Sequence, residues 1–272
     1  ATADSATAVG AQAQASGSGS TSVGAGSTAS GTASASFGVG AEASGGYSTA
    51  LGGLSNASAF NATAVGNAAN ATGSNSVAVG GDAEASGAYS TATGQGSLAT
   101  GTNSVAVGGA LFGLLPTEAS GDYSTAVGGG AWAPGTNATA LGNAAEAQGA
   151  NSVALGADSI AERDNTVSVG GAGNTRQITN VAAGTEATDA VNLEQLDEAT
   201  ARFTASGEGE AYADGGDATA AGSHATARAD YATANGSRTN APGVGASAFR
   251  SGTTSRRQYA APSRSTAPPA GA

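Results

Sequence analysis

Cysteine, methionine and lysine are absent from the 272 residues, and tryptophan and histidine occur once each, as Trp132 and His224. Without cysteine there is no disulfide or thiolate chemistry, and metal sites built from Cys/His clusters are impossible. A Ser/His/Asp arrangement would have to rest on His224 alone. No basic residue precedes Arg163, whereas acids recur at Asp4, Glu42, Asp82, Glu84, Glu118, Asp122, Glu146, Asp158 and Glu162. Phosphate neutralisation needs Lys and Arg, so nucleic acid is excluded as a partner, and polyanions and anionic lipid are disfavoured. No apolar run approaches the ~20 residues of a membrane helix. No basic region followed by an apolar one opens the chain, which starts at Ala1 and is expected to be a mature piece or an excised fragment. Large apolar residues are too few for an ordinary globular core. Neither a Gly-Lys-Ser/Thr nor a dinucleotide fingerprint accompanies the glycines, and no Gly-Gly-x-Gly-x-Asp calcium repeat occurs. The expectation is a non-catalytic chain with no cofactor and no metal.

What is present is a strict repeat. Gly10, Gly24, Gly38, Gly52, Gly66, Gly80, Gly94 and Gly108 are spaced by fourteen; one gap of twenty leads to Gly128, and fourteen resumes at Gly142, Gly156 and Gly170. Two places before each of these stands only Ala or Ser. Immediately before it stand Val9, Val23, Phe37, Leu51, Val65, Val79, Val107, Val127, Leu141, Leu155 and Val169, with Thr93 the exception. The column three places before is mostly Thr or Val and includes Val77, Val105, Val153 and Val167. Small and larger side chains alternating with period two, rich in Thr and Val, predict a strand. Five residues after most of these glycines comes Ala, as at Ala15, Ala29 and Ala43, flanked by polar residues such as Gln14, Glu42 and Glu84. A further Gly column closes most units. Two short strands and two Gly-assisted turns therefore make one coil of an all-β solenoid.

The packing then calls for partners. Ala fills the coil, and the Val/Leu/Thr face of the first strand points away from it with nothing in the chain to cover it. A β-branched stripe along twelve coils exceeds what soluble monomers usually expose, and closed cyclic association covers it without fibres. Coils stacked at ~4.8 Å give a head about 55–60 Å tall. The columns alone do not fix the number of copies.

Asn75 to Gly80 and Asn103 to Gly108 read Asn-Ser-Val-Ala-Val-Gly, and Asn151 to Gly156 reads Asn-Ser-Val-Ala-Leu-Gly. These units resemble the head repeats of the YadA-like trimeric autotransporter adhesins. The string from Arg176 to Leu196, Arg-Gln-Ile-Thr-Asn-Val-Ala-Ala-Gly-Thr-Glu-Ala-Thr-Asp-Ala-Val-Asn-Leu-Glu-Gln-Leu, is similar to that family's neck. The resemblance covers residues 1–198. It implies a left-handed parallel β-roll that is homotrimeric, displayed outside a Gram-negative outer membrane and used for attachment to host cells or extracellular matrix, collagen-type ligands among them. It also implies that the membrane is reached only through an anchor region lying outside this chain. The expected organisation is a β-roll head over 1–172, a neck over 173–198 and a short coiled-coil helix over 199–206. Degenerate head repeats follow over 207–255, and a linker or disordered tail over 256–272. Leu193, Leu196, Thr200 and Phe203 follow coiled-coil spacing, and Thr188 or Asp189 is the expected N-cap.

The stripe residues named above, with Leu193 and Leu196, are the expected trimer interface. Candidate ligand contacts are Asn75, Asn103 and Asn151 of the matching motifs, the apolar insertion Leu111, Phe112, Leu114 and Leu115, and Trp132. The insertion is either a binding loop on a rigid scaffold or a segment folded over a neighbouring subunit. Trp132 either covers it or belongs to a contact patch. Two functions compete: an adhesin head, and a structural spacer or self-association module. An ice-binding solenoid is disfavoured because Thr21, Thr49, Thr63 and Thr91 share the face assigned to the interface.

Overall fold

The computed structural model describes residues 1–201 and 211–256, which fall into two compact units divided between Gln177 and Ile178. Phe203, the end of the expected helix and the tail after Arg256 lie outside the described residues. In the first unit each coil contributes a three-residue strand such as Val77–Val79 and a two-residue strand such as Glu84–Ala85. First strands pair in parallel into a twelve-stranded sheet and second strands into an eleven-stranded one. Register is kept column on column: Val77 pairs with Thr63 and Thr91, and Ala85 with Ala71 and Ala99. The fold is an all-β parallel solenoid.

The core between the two sheets consists of small side chains. Ala78, Ala83 and Ala85 are fully buried, and so are their counterparts in neighbouring coils; among the described residues, no side chain larger than Thr is fully buried. Each methyl removed from water contributes only about 0.8 kcal/mol. Much of the order therefore comes from the backbone ladder, in which Val77 N–H donates to the Ser90 carbonyl at 2.9 Å and Gly80 N–H to the Val65 carbonyl at 2.8 Å. Small residues make that thinness possible, and glycine completes it: a Cβ at Gly87 would overlap the Gly101 carbonyl of the next coil. One serine column is imperfectly satisfied. Ser34 Oγ donates to the Gly31 carbonyl at 2.7 Å, whereas the buried hydroxyls of Ser76, Ser90 and Ser104 in the same column find no partner.

Turns are set by left-handed residues. The position just before that column, which holds Ser, Ala or Thr, is occupied by Tyr47, Asn61, Asn75, Tyr89, Asn103, Tyr123, Asn137, Asn151 and Asn165, all with φ between 54 and 61°. Asn tolerates this region better than other non-glycine residues. Stacked Asn side chains also bond along the axis, Asn61 Nδ2 to Asn75 Oδ1 at 3.1 Å and Asn151 Nδ2 to Asn165 Oδ1 at 3.1 Å.

The long gap is absorbed at a turn. Val105 pairs with Thr125 and Leu98 with Glu118, a step of twenty, so both sheets pass the insertion unbroken. Thr117 re-enters the core fully buried and donates to the Gly128 carbonyl at 2.7 Å. At the far end Arg176 closes the roll. Its guanidinium donates to Ser159 Oγ at 3.0 Å, to the Val169 carbonyl at 2.6 Å and to the Ala157 carbonyl, satisfying acceptors in the last coils.

In the second unit a helix spans Leu193–Ala201, so it starts inside the stretch read as neck. Its N-cap is Asn192, not Thr188 or Asp189: Gln195 N–H donates to Asn192 Oδ1 at 3.0 Å. Gln195 also grips the preceding chain, accepting from Gly184 N–H at 2.8 Å and donating to its carbonyl at 3.0 Å. Asp189 instead closes the turn before the helix, accepting from Thr185 N–H at 2.9 Å and Glu186 N–H at 3.0 Å. These bonds hold its carboxyl below the ordinary 3.8, the Glu186 amide most of all. After residue 210 the coil returns, with two three-stranded parallel sheets around Ala225, Ala227, Ala232, Ala234 and Ala241.

Candidate functional site

The chemistry of this chain lies on surfaces rather than in a cleft, and the coil assigns each column to one of them. On the first sheet, Val9, Phe37, Leu51, Val79, Val107, Leu141, Leu155 and Val167 are exposed. Val23, Val65, Val77, Val105, Val127, Val153 and Val169 between them are half-buried. This apolar column runs the full length of the roll without a charged residue. Leu193 and Leu196 of the helix are likewise exposed.

The insertion forms a small hairpin. Leu111 and Leu115 bridge in antiparallel fashion, with Leu111 N–H donating to the Leu115 carbonyl at 2.7 Å. Phe112 at φ 53° and Gly113 at φ 71° make the bend, the pairing of positive angles typical of tight hairpins. Leu111 turns back onto the edge of the roll at Gly130. Phe112 and Leu114 project outward, 88% and 83% exposed. Within the single chain the insertion therefore does not bury itself.

Trp132 stands on the opposite sheet, in the outward column of the second strands, and is 37% exposed. Its ladder neighbours are Glu118 on one side and Glu146 on the other. Asn75, Asn103 and Asn151 sit elsewhere again, at the left-handed corner of the coil. The candidate contacts thus occupy three places: a turn edge with the hairpin, the second sheet with Trp132, and a corner with the Asn residues. Position in the turn accounts for the Asn residues fully. Sequence reasoning missed the two glutamates flanking Trp132 as site residues, although their unbroken fourteen-residue spacing from Trp132 was the available signal. Tyr47 and Phe60 also pack edge to face, their centroids 5.6 Å apart, as an exposed aromatic pair. Among the described residues no three His, Asp or Glu side chains converge on a point that could hold a metal ion.

Comparison with known proteins bears on these surfaces directly. The YadA head domain repeat matches residues 1–27, 29–55, 57–83, 85–110, 119–145, 147–172 and 213–239. The coiled stalk of trimeric autotransporter adhesin matches residues 177–219. The chain belongs to the YadA-like trimeric autotransporter adhesins. Among solved structures, the collagen-binding domain of the Yersinia adhesin YadA is 27% identical, over 74% of this chain and 85% of that chain, with a TM-score of 0.33. No curated protein matches the chain. The adhesin head repeats match the fourteen-residue coils on both sides of the hairpin and stop at its base, at residue 110, to resume at residue 119. The hairpin is thus an addition to the adhesin repeat, and Glu118 stands immediately before the resumed match.

Proposed function

We propose that this chain is the head of a cell-surface adhesin that works as a homotrimer, attaches to host cells or extracellular matrix and performs no catalysis. The observation that carries this reading is the uncharged apolar stripe of the first sheet, which only another copy of the same periodicity can cover along its whole length. Covering that stripe leaves the second sheet and the turn edges facing outward as contact surfaces. Leu193 and Leu196 continue the association into the helix, where both are exposed on the single chain.

The hairpin is the proposed attachment point on the turn edge, with Phe112 and Leu114 as its contacts. The same projecting apolar pair favours a second reading, a self-association module that clumps cells, because two copies can bury it against each other. Display of the full chain on cells separates the two. With Phe112→Ser and Leu114→Ser, the adhesive reading expects reduced retention on surfaces coated with collagen or other matrix proteins and unchanged settling of the cells. Slower settling with retention intact would assign the hairpin to self-association. Retention and settling both unchanged would remove the hairpin from function.

A further inference from the structure

We infer that Trp132, with Glu118 and Glu146, forms a binding site for an arginine side chain on a partner polypeptide. The outward column of the second sheet runs Gln14, Thr28, Glu42, Asn56, Asn70, Glu84, Leu98, Glu118, Trp132, Glu146, Ile160. It is polar until Leu98, then alternates apolar and acidic through five consecutive strands. Glu118 and Glu146 each pair directly with Trp132, so the indole lies between two carboxylates whose strands stand ~10 Å apart. The Glu118 carboxylate has no hydrogen-bond or ion-pair partner among the described residues, its backbone N–H donating to the Ala131 carbonyl. Glu146 accepts one hydrogen bond, from Gln148 Nε2 at 2.9 Å, on Oε2. Leu98 and Ile160 bound the patch at its two ends, pairing with Glu118 and Glu146 respectively.

Structural economy does not explain this arrangement. The core of the coil is Ala on the inner side of the same strands, and a large half-exposed ring adds nothing to it. A planar cation fits the arrangement on three counts. It is attracted to the face of an indole. Its N–H groups reach carboxylates on either side, which a fork of donors does better than the point charge of Lys. Its charge also complements its surroundings, since residues 1–177 carry ten carboxylates against two arginines, Arg163 and Arg176. The occupant is therefore an arginine-bearing segment of another protein, met on the outward sheet.

This inference rests on the adhesive reading in one respect, that the second sheet faces outward in the assembly. Trp132 is the one tryptophan of the chain, so its emission reports on this site alone. The full chain is titrated at low salt with acetylated tri-arginine amide, and in parallel with tri-lysine amide. Expected is a saturable change in Trp132 emission with tri-arginine, at lower concentration than with tri-lysine, weakening as ionic strength rises. In Glu118→Gln/Glu146→Gln the affinity falls about tenfold while the indole stays in place to read it. Circular dichroism checks that the double variant keeps the coil. No saturable change, or an undiminished one in the double variant, overturns the site. An emission change with protein concentration and no peptide assigns the patch to arginines of a second copy and overturns the partner reading. Loss of peptide binding with attachment intact sinks this site alone. Binding intact with no attachment to any matrix surface sinks the adhesive reading and leaves the site.

Discussion

Two residues only a few positions apart in the repeat obey opposite rules, and the difference is which atoms lie next to them. Gly87 faces the Gly101 carbonyl so closely that no side chain fits, and backbone cannot move aside without breaking the ladder. Ser90 carries a hydroxyl sealed away from water with no partner, which costs about 1–3 kcal/mol relative to an apolar group. Gly87→Ala is therefore expected to lower the melting temperature by about 5 °C or more, and Ser90→Ala to leave it unchanged or raise it. Thermal melts at one fixed protein concentration check both, and a drop for Ser90→Ala would contradict the account. The alanine columns were legible in the sequence because a core this thin admits almost nothing else, so the period alone exposes it. The role of Asn75, Asn103 and Asn151 was not. Their motif favours a scaffold role over direct contact without saying what that role is, and only the φ values show a corner residue.

At the level of elements, the neck shows how local bonds decide boundaries that composition leaves open. Thr188, Asp189 and Asn192 are all capping types, and each precedes an apolar residue within a few positions. Asp189 is taken by the turn behind it, which leaves Asn192 to cap the helix. Asn192→Ala is expected to cost about 1 kcal/mol of helix stability, read as lost helical signal. The turn has a pH dependence of definite sign. Because the Asp189 carboxyl titrates below 3.8 in the folded chain, its contribution is complete above that value and is lost as pH falls through the lower one. Amide chemical shifts of Thr185 and Glu186 should therefore titrate with a midpoint below the ordinary 3.8. A midpoint at or above that value would contradict the assignment. The helix itself was legible from the spacing of Leu193 and Leu196. Its start was not, because two neighbouring residues compete for the cap.

For the whole molecule, the decisive property is that the two faces of a first strand answer to different partners. The inner face meets the alanines of its own coil, and the outer one meets nothing in the chain. Val79→Asp with Val107→Asp should therefore leave the far-ultraviolet spectrum of the coil intact while reducing the mass in light scattering from three copies to one, since buried unpaired carboxylates are costly at an interface. A trimer that survives both charges would overturn the packing argument. The sequence carried the stripe plainly, since its residues keep one column, and it pointed to Trp132 as a lone aromatic. It left the carboxylate pair unremarked because Glu118 and Glu146 lie in a column that is mostly polar and reads as solvated surface, until strand pairing sets them on the two rungs beside the indole. The hairpin displaces that column by six residues between Leu98 and Glu118. That shift has a counterpart in how such a chain can change length. Loss or gain of fourteen residues returns every column to its place, so slippage within the coding repeats would shorten or lengthen the head by whole coils of ~4.8 Å. Any other number must be spent at a corner, as the hairpin is, or it throws alanine and valine onto the wrong faces. The head is a ruler graduated in single coils, and variants differing in the number of coils after Trp132 would carry the tryptophan patch at different distances from the end of the roll that Arg176 closes.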